Sequence, residues 1–294
     1  SSGVTTVACG ALKEALQGME RETGLFVAGG KGRTSRKTPD EIASRESLLD
    51  VAPERLVYAS KMAAKVDNSA VQDGYQLYHH TFVFTPRGEW CVIQQGMSDA
   101  SHYARRYHWL SEQVSDFVDE PHAAVCTGDG GSEVLNMVAH ESEPARQRSA
   151  ELSRERPDAL LSELKLAAHH DVRLDDINPD RLHKVFLSTY EQPPADFEAL
   201  LAMPGVGPKS VRALSLLSEL LYGAKPSFRD PARFSFAHGG KDGHPYPVDR
   251  ATYQQTIATL RTTLNRAKLG QSDKLSALKR LARVEQQPQL AYAG

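Results

Sequence analysis

Lys209 follows Pro204-Gly205-Val206-Gly207-Pro208, and Asp249 stands 40 positions further on in Pro247-Val248-Asp249-Arg250. A lysine amine held as the free base can attack an electrophilic carbon and keep it as a Schiff base. A carboxylate beside it can stabilise developing positive charge or activate the attacking group. Both residues also have plainer uses. Lysine at a helix start contacts phosphate as a point charge, and aspartate at a helix start is a good cap. Both readings of each residue stand at this point.

The element that must position Lys209 is "ALLAMPGVGPKSVRALSLLSELL", residues 199 to 221: a helix, a break at the glycines, then a second apolar-periodic helix. Such a break leaves the first N–H groups of the second helix pointing outward at the positive end of its dipole, which makes an anion site. Glycine is needed because a side chain would block a phosphate and resist positive φ. Gly205, Val206, Gly207, Ser210 and Arg212 are therefore the expected contacts to a DNA backbone. The plain alternative is an αα-corner that only packs.

The string resembles the hairpin of the helix-hairpin-helix DNA glycosylase superfamily, whose bifunctional members carry "PGVG", a variable residue and then lysine. The lead-in "PADFEALLAMPGVG" is also similar to the family's short helix before the hairpin, and Val248-Asp249 matches its downstream Val-Asp pair. The resemblance covers roughly residues 180–260. It implies a repair enzyme that flips a damaged base out of duplex DNA, with Lys209 as nucleophile and Asp249 as its partner. It also implies associated abasic-site lyase activity, no required cofactor, and a structural monovalent cation at the hairpin. The interval from Lys209 to Asp249 is longer than in typical members because of the insert "RDPARFSFAHGGKDGHPY", which adds His244 and Tyr246 as candidate DNA contacts. The insert is a pocket wall or recognition loop, or its length makes Asp249 a helix cap only.

Residues 65–97, "KVDNSAVQDGYQLYHHTFVFTPRGEWCVIQQGM", are dense in functional types. On a strand Tyr78, His80, Phe82 and Phe84 share one face while Leu77, His79, Thr81 and Val83 share the other, so only one histidine can join a given carboxylate. Three readings compete. Asp67, Asp73 and His79 or His80 hold Mg²⁺ or Mn²⁺ in a structure-specific nuclease. Arg105 and Arg106, interleaved with Tyr103, Tyr107 and Trp109, grip a nucleic-acid strand by charge and stacking. Or the segment is a polar hairpin with satisfied buried groups. The strings "KVD…QDGYQLYHH", "QQGM", "ARRYHWL", "EPH" and "HGGKDGHPYPVDR" resemble an archaeal and bacterial family known only as a domain of unknown function, a likeness that spans nearly the whole chain.

The wider chain has 294 residues, 40% hydrophobic and 24% charged, with a net charge of −2. That balance argues for a focused basic patch rather than wholesale coating of DNA. Lys31, Arg33, Arg36 and Lys37 form one such patch in "AGGKGRTSRK", which lacks the spacing of a P-loop and reads as a basic loop touching DNA backbone. No run approaches the ~20 apolar residues of a membrane helix, so no membrane partner is expected. The chain opens at Ser1 without an initiator Met, as a fragment or processed form would. Cys9, Cys91 and Cys126 are scattered, which fits reduced thiols in a cytoplasmic protein.

The expected fold class is α+β. Residues 1–140 read as a mixed α/β domain with a β-hairpin at "YQLYHHTFVF–TPRG–EWCVIQQGM" and further strands at "GLFVAGG" and "HAAVCTG". Residues 141–294 read as an all-α helix-hairpin-helix domain. The partner is duplex DNA, damaged on the glycosylase reading. A non-catalytic DNA-binding module remains a third possibility beside glycosylase and nuclease.

Overall fold

The computed structural model describes residues 2–127, 133–168 and 178–232, with single helical positions at 254, 258, 261, 262, 275 and 279. His244, Tyr246 and Asp249 lie outside the described residues. Two helices, α1 (Ser2–Leu16) and α2 (Glu20–Thr23), precede β1 (Phe26–Lys31). A 3₁₀ turn over Gly32–Lys37 leads to α3 (Thr38–Ala43) and α4 (Pro53–Lys65), which runs on into a π-helical turn over Val66–Ala70. The strands follow: β2 (Val71–Gln72), β3 (Gln76–Phe84), β4 (Trp90–Met97), β5 (Ala104–Leu110), β6 (Ala124–Thr127) and β7 (Leu135–Asn136). The helices α5 (Glu143–Leu152), α6 (Pro157–Ala168), α7 (Pro179–Glu191), α8 (Phe197–Ala202) and α9 (Pro208–Tyr222) complete the order. By contacts Ser2–Ser235 form one compact unit and Phe236–Gly294 another, and every element from α1 to α9 belongs to the first.

The chain is α+β, as its pattern predicts. Five antiparallel strands pair in the order β1-β3-β4-β5-β6, and β2 pairs with β7 in a small second sheet. The expected hairpin is β3–β4, with Phe84 opposite Trp90 and His80 opposite Gln94. Period-two alternation puts Phe26, Phe82, Phe84, Trp90, Val92, Tyr107, Trp109 and Val125 on one face, all buried. That face takes Leu56, Ala59, Met62 and Ala63 of α4, and the apolar sides of α5, α8 and α9 extend the same core through Leu152, Leu200, Leu201, Val211 and Leu214. The opposite face carries His79, Thr81, Gln95 and Cys126, also buried. There α1 closes over the sheet, with Arg106 donating to Thr5 at 3.1 Å.

Two features were not visible in the pattern. "ARRYHWL" is a central strand, β5, whose alternation is disguised by an arginine at a core position: Arg105 is 0% exposed. The helix through "RLVYASKMAAKV" stops at Lys65, and the π turn after it carries Asp67 into the interior, where it is 0% exposed. One extra residue in a helical turn re-aims the side chains that follow, and such turns recur at functional sites.

Candidate functional site

The broken helix is two helices, α8 and α9, joined by a tight turn. Asp196 caps α8 by accepting the Ala199 amide at 2.7 Å. Gly205 turns the chain with φ +84°, a backbone conformation that disfavours a side chain. Pro208 occupies the first turn of α9, where a missing N–H costs nothing. Gly205 and Lys209 are exposed on this end. Three other expected contacts have different work. Val206 is 2% exposed and plugs the turn into the core. Ser210 is buried, and its hydroxyl accepts the Gly207 amide at 3.0 Å, so that amide is turned inward as part of the cap. The Arg212 Nε donates to Gln72 Oε1 at 3.0 Å.

The inner side of the turn is held from the first half of the chain. Lys65, the last residue of α4, donates through Nζ to the carbonyls of Val206 at 2.5 Å and Met203 at 3.3 Å. Gln72 Nε2 donates to the Pro208 carbonyl at 2.8 Å. Tyr58 of α4 donates to Glu198 of α8 at 2.5 Å. Converging carbonyls at a tight turn gather negative potential, and here a tethered ammonium meets it. Burial pulls the pKa of Lys65 below its ordinary value, because the charged form loses water.

A second constellation lies where α4 crosses the sheet. Asp67 is fully buried and takes three donors: Gln94 Nε2 at 2.5 Å and Trp109 Nε1 at 3.0 Å on Oδ2, and His122 Nε2 at 2.5 Å on Oδ1. Gln94 Nε2 also donates to the Ala63 carbonyl at 3.1 Å, which fixes the amide so that its Oε1 faces His80 Nδ1 at 2.8 Å. His80 Nδ1 must therefore carry the proton. Its Nε2, 2.8 Å from Ser60 Oγ, is left to accept from the serine hydroxyl. Burial lowers the pKa of His80, against the opposing pull of Gln94 and Asp67, and so keeps the ring neutral. The result is one directed chain from Ser60 through His80 and Gln94 to Asp67, which His122 meets as a separate donor.

The Ser60 end of this chain opens on a cavity of about 360 Å³ bounded by Arg36, Thr38, Ser60, Lys61, Asn68 and His80. Arg36 and Lys61 are exposed on its walls, and among the described residues no carboxylate lines it. Lys65 also lines the cavity, so one residue joins its wall to the hairpin.

The remaining expected residues do not gather. Asp73 is bound by Arg105 at 2.8 Å and by the Tyr107 hydroxyl at 2.6 Å, away from the donors that hold Asp67. His79 lies on the α1 face of the sheet, with Nε2 3.0 Å from Thr81 Oγ1, while His80 faces α4. Among the described residues, no group of three or more His, Cys, Asp or Glu is placed to hold a metal ion, so the set Asp67, Asp73, His79 and His80 is not a ligand cluster. Arg105 cannot reach a DNA strand: its guanidinium is sealed between Asp73 and Asp230, the latter at 2.5 Å, and stacks over Tyr75 at 4.9 Å. Burial works against its charge, but the two carboxylates hold it as a cation. Arg106 is half-buried on the α1 face, whereas Lys31 and Arg33 are exposed at the end of β1 and in the turn after it.

Residues 1–248 match the family model described as "Protein of unknown function (DUF763)". The chain belongs to DUF763. No curated protein and no solved structure matches it. The match covers the sheet, the π turn and the hairpin together, so the DUF763 unit includes both constellations described above. No described helix is long and apolar enough to cross a membrane.

Sequence reasoning missed Ser60 as a site residue and gave Lys65, one of the functional types in residues 65–97, no role. "VYASKMAAKV" reads as an ordinary amphipathic helix, and a lone serine on it carries no signal. The density of polar types in residues 65–97 marked the region but not the partners within it.

Proposed function

We propose that this protein is a DNA repair enzyme that holds the backbone of damaged duplex DNA on the α8–α9 hairpin. On this reading it removes a flipped-out base and cleaves the abasic site, as a glycosylase with associated lyase activity. The observation that carries the proposal is the hairpin's geometry. Gly205 lies exposed at φ +84°, Lys209 stands exposed in the first turn of α9, and the turn is braced from behind by Lys65. An exposed glycine turn admits a phosphate closely, and the positive end of a 15-residue helix favours it. The turn is braced from behind, since the Lys65 ammonium donates to the carbonyls of Met203 and Val206.

In the chemical step the Lys209 amine attacks the sugar C1′. The C1′–N bond to the base breaks and the base leaves. The C1′–O4′ bond then opens as O4′ takes a proton from the amine, which leaves a Schiff base; loss of a C2′ proton and β-elimination of the 3′-phosphate cleave the strand. The test is borohydride trapping in EDTA on duplexes carrying an abasic site, uracil, or oxidised and alkylated bases, with Lys209→Gln beside the wild type. A covalent protein–DNA complex that the substitution abolishes supports the assignment. No trapping and no base release on any duplex overturns it.

A further inference from the structure

We propose that the cavity at Ser60 is a second catalytic site, in which Ser60 is a nucleophile toward a phosphodiester and His80 is its general base. Three observations converge. The hydrogen-bond polarity is forced along the chain, because the Gln94 amide nitrogen is taken by the Ala63 carbonyl and Asp67, so its oxygen must accept from His80 Nδ1. That leaves His80 Nε2 as the acceptor 2.8 Å from Ser60 Oγ. Nucleophile, base and orienting group in hydrogen-bonded sequence is the arrangement that activates a serine, whatever the fold around it. Second, both Ser60 and His80 line a cavity of about 360 Å³, a size that holds a small ligand.

The third observation is charge. Arg36, Lys61 and Lys65 line the cavity, and among the described residues no carboxylate does. Lys65 is committed to the hairpin carbonyls, so Arg36 and Lys61 are the cations that meet a ligand. An anionic ester is therefore preferred over a neutral one, and a phosphodiester keeps its charge throughout the reaction. Gln94 and Asp67 are positioning residues, since they act only through His80.

The step balances within the site. As Ser60 Oγ bonds to phosphorus, the ester P–O bond opposite breaks; the serine proton passes to His80 Nε2, and the departing alkoxide takes a proton from solvent water, leaving hydroxide on that side. The hydroxide so formed attacks the seryl phosphodiester from the vacated side and releases a phosphomonoester as His80 returns its proton to Ser60. No redox partner is required. This site stands apart from the hairpin: loss of Lys209 would leave it intact, and loss of Ser60 would leave DNA binding intact.

The experiment uses the full chain and diisopropyl fluorophosphate, which phosphorylates an activated serine with loss of fluoride. Intact mass should rise by one adduct, and peptide mapping of the wild-type protein should place it on Ser60. Ser60→Ala should take up none, and His80→Gln should slow labelling by at least about tenfold, the lower end of what a general base supplies. Bis(4-nitrophenyl) phosphate, an anionic diester, should slow labelling and release 4-nitrophenolate in the wild type alone. Mapping needs no variant, so a misfolded His80→Gln protein does not spoil the test. Absence of an adduct, an adduct elsewhere, or labelling of Ser60 that the diester does not slow would each overturn the proposal.

Discussion

Mild acid should destabilise this protein well before its carboxylates protonate, and His79 supplies a calculable part of the effect. Its side chain sits on the α1 face of the sheet, 1% exposed, with Nε2 near Thr81 and Nδ1 without a hydrogen-bond partner. Burial first, then the repulsion a protonated His80 would exert and the Lys31 charge, push its pKa from 6.5 down to about 4. A histidine depressed by folding takes a proton in the unfolded chain first. Stability is therefore intact above about pH 6.5 and falls as the pH drops toward 4. At about 1.36 kcal/mol per pH unit of displacement, the full loss is roughly 3 kcal/mol, and about 2 kcal/mol of it is spent by pH 5. His80 and His108 are lowered by burial too, so they add to the acid loss in the same direction. The assay is urea unfolding of wild type and His79→Gln at pH 7.5 and pH 5. The wild type should lose about 2 kcal/mol more than the variant between these two conditions. Equal losses in both proteins, or none in the wild type, would refute the burial argument.

Other perturbations have equally definite expectations. Arg105→Met strands the carboxylates of Asp73 and Asp230 inside the protein, and should cost about 3–5 kcal/mol in chemical denaturation. Lys65→Met removes the ammonium behind the hairpin. The loss should be about 1.5–3 kcal/mol, with faster hydrogen exchange confined to the α8–α9 turn rather than spread through the sheet. Gly29→Ala would set a Cβ 2.2 Å from the His80 carbonyl and 2.5 Å from Thr38 Oγ1, at φ +87°. A fall in stability of more than about 3 kcal/mol is expected, measured by thermal unfolding.

Local features of the chain were legible where one short segment decides them. The α8–α9 hairpin follows from two glycines and a proline between apolar-periodic runs, and the β3–β4 hairpin from alternating residues around "TPRG". Strand β5 was hidden because Arg105 occupies a core position that only Asp73 and Asp230, 32 and 125 residues away, make tolerable. The Ser60–His80–Gln94–Asp67–His122 chain draws on α4, the π turn, two strands and a loop. Its members are ordinary residues until the sheet register sets His80 opposite Gln94. Lys65 is the extreme case, since its carbonyl partners lie 138 and 141 residues downstream. The helix–turn–helix was thus readable as local structure, but what braces it was not.

The most direct test of the account is whether the hairpin holds DNA through charge. Fluorescence anisotropy of a labelled 20-base-pair duplex should be titrated with wild type and Lys209→Gln across a series of salt concentrations. If Lys209 meets a phosphate, the variant should bind several-fold more weakly at low salt, and the slope of log affinity against log salt should fall by about one. Identical affinity and slope in the two proteins would contradict the claim that the α8–α9 turn is a DNA-backbone site.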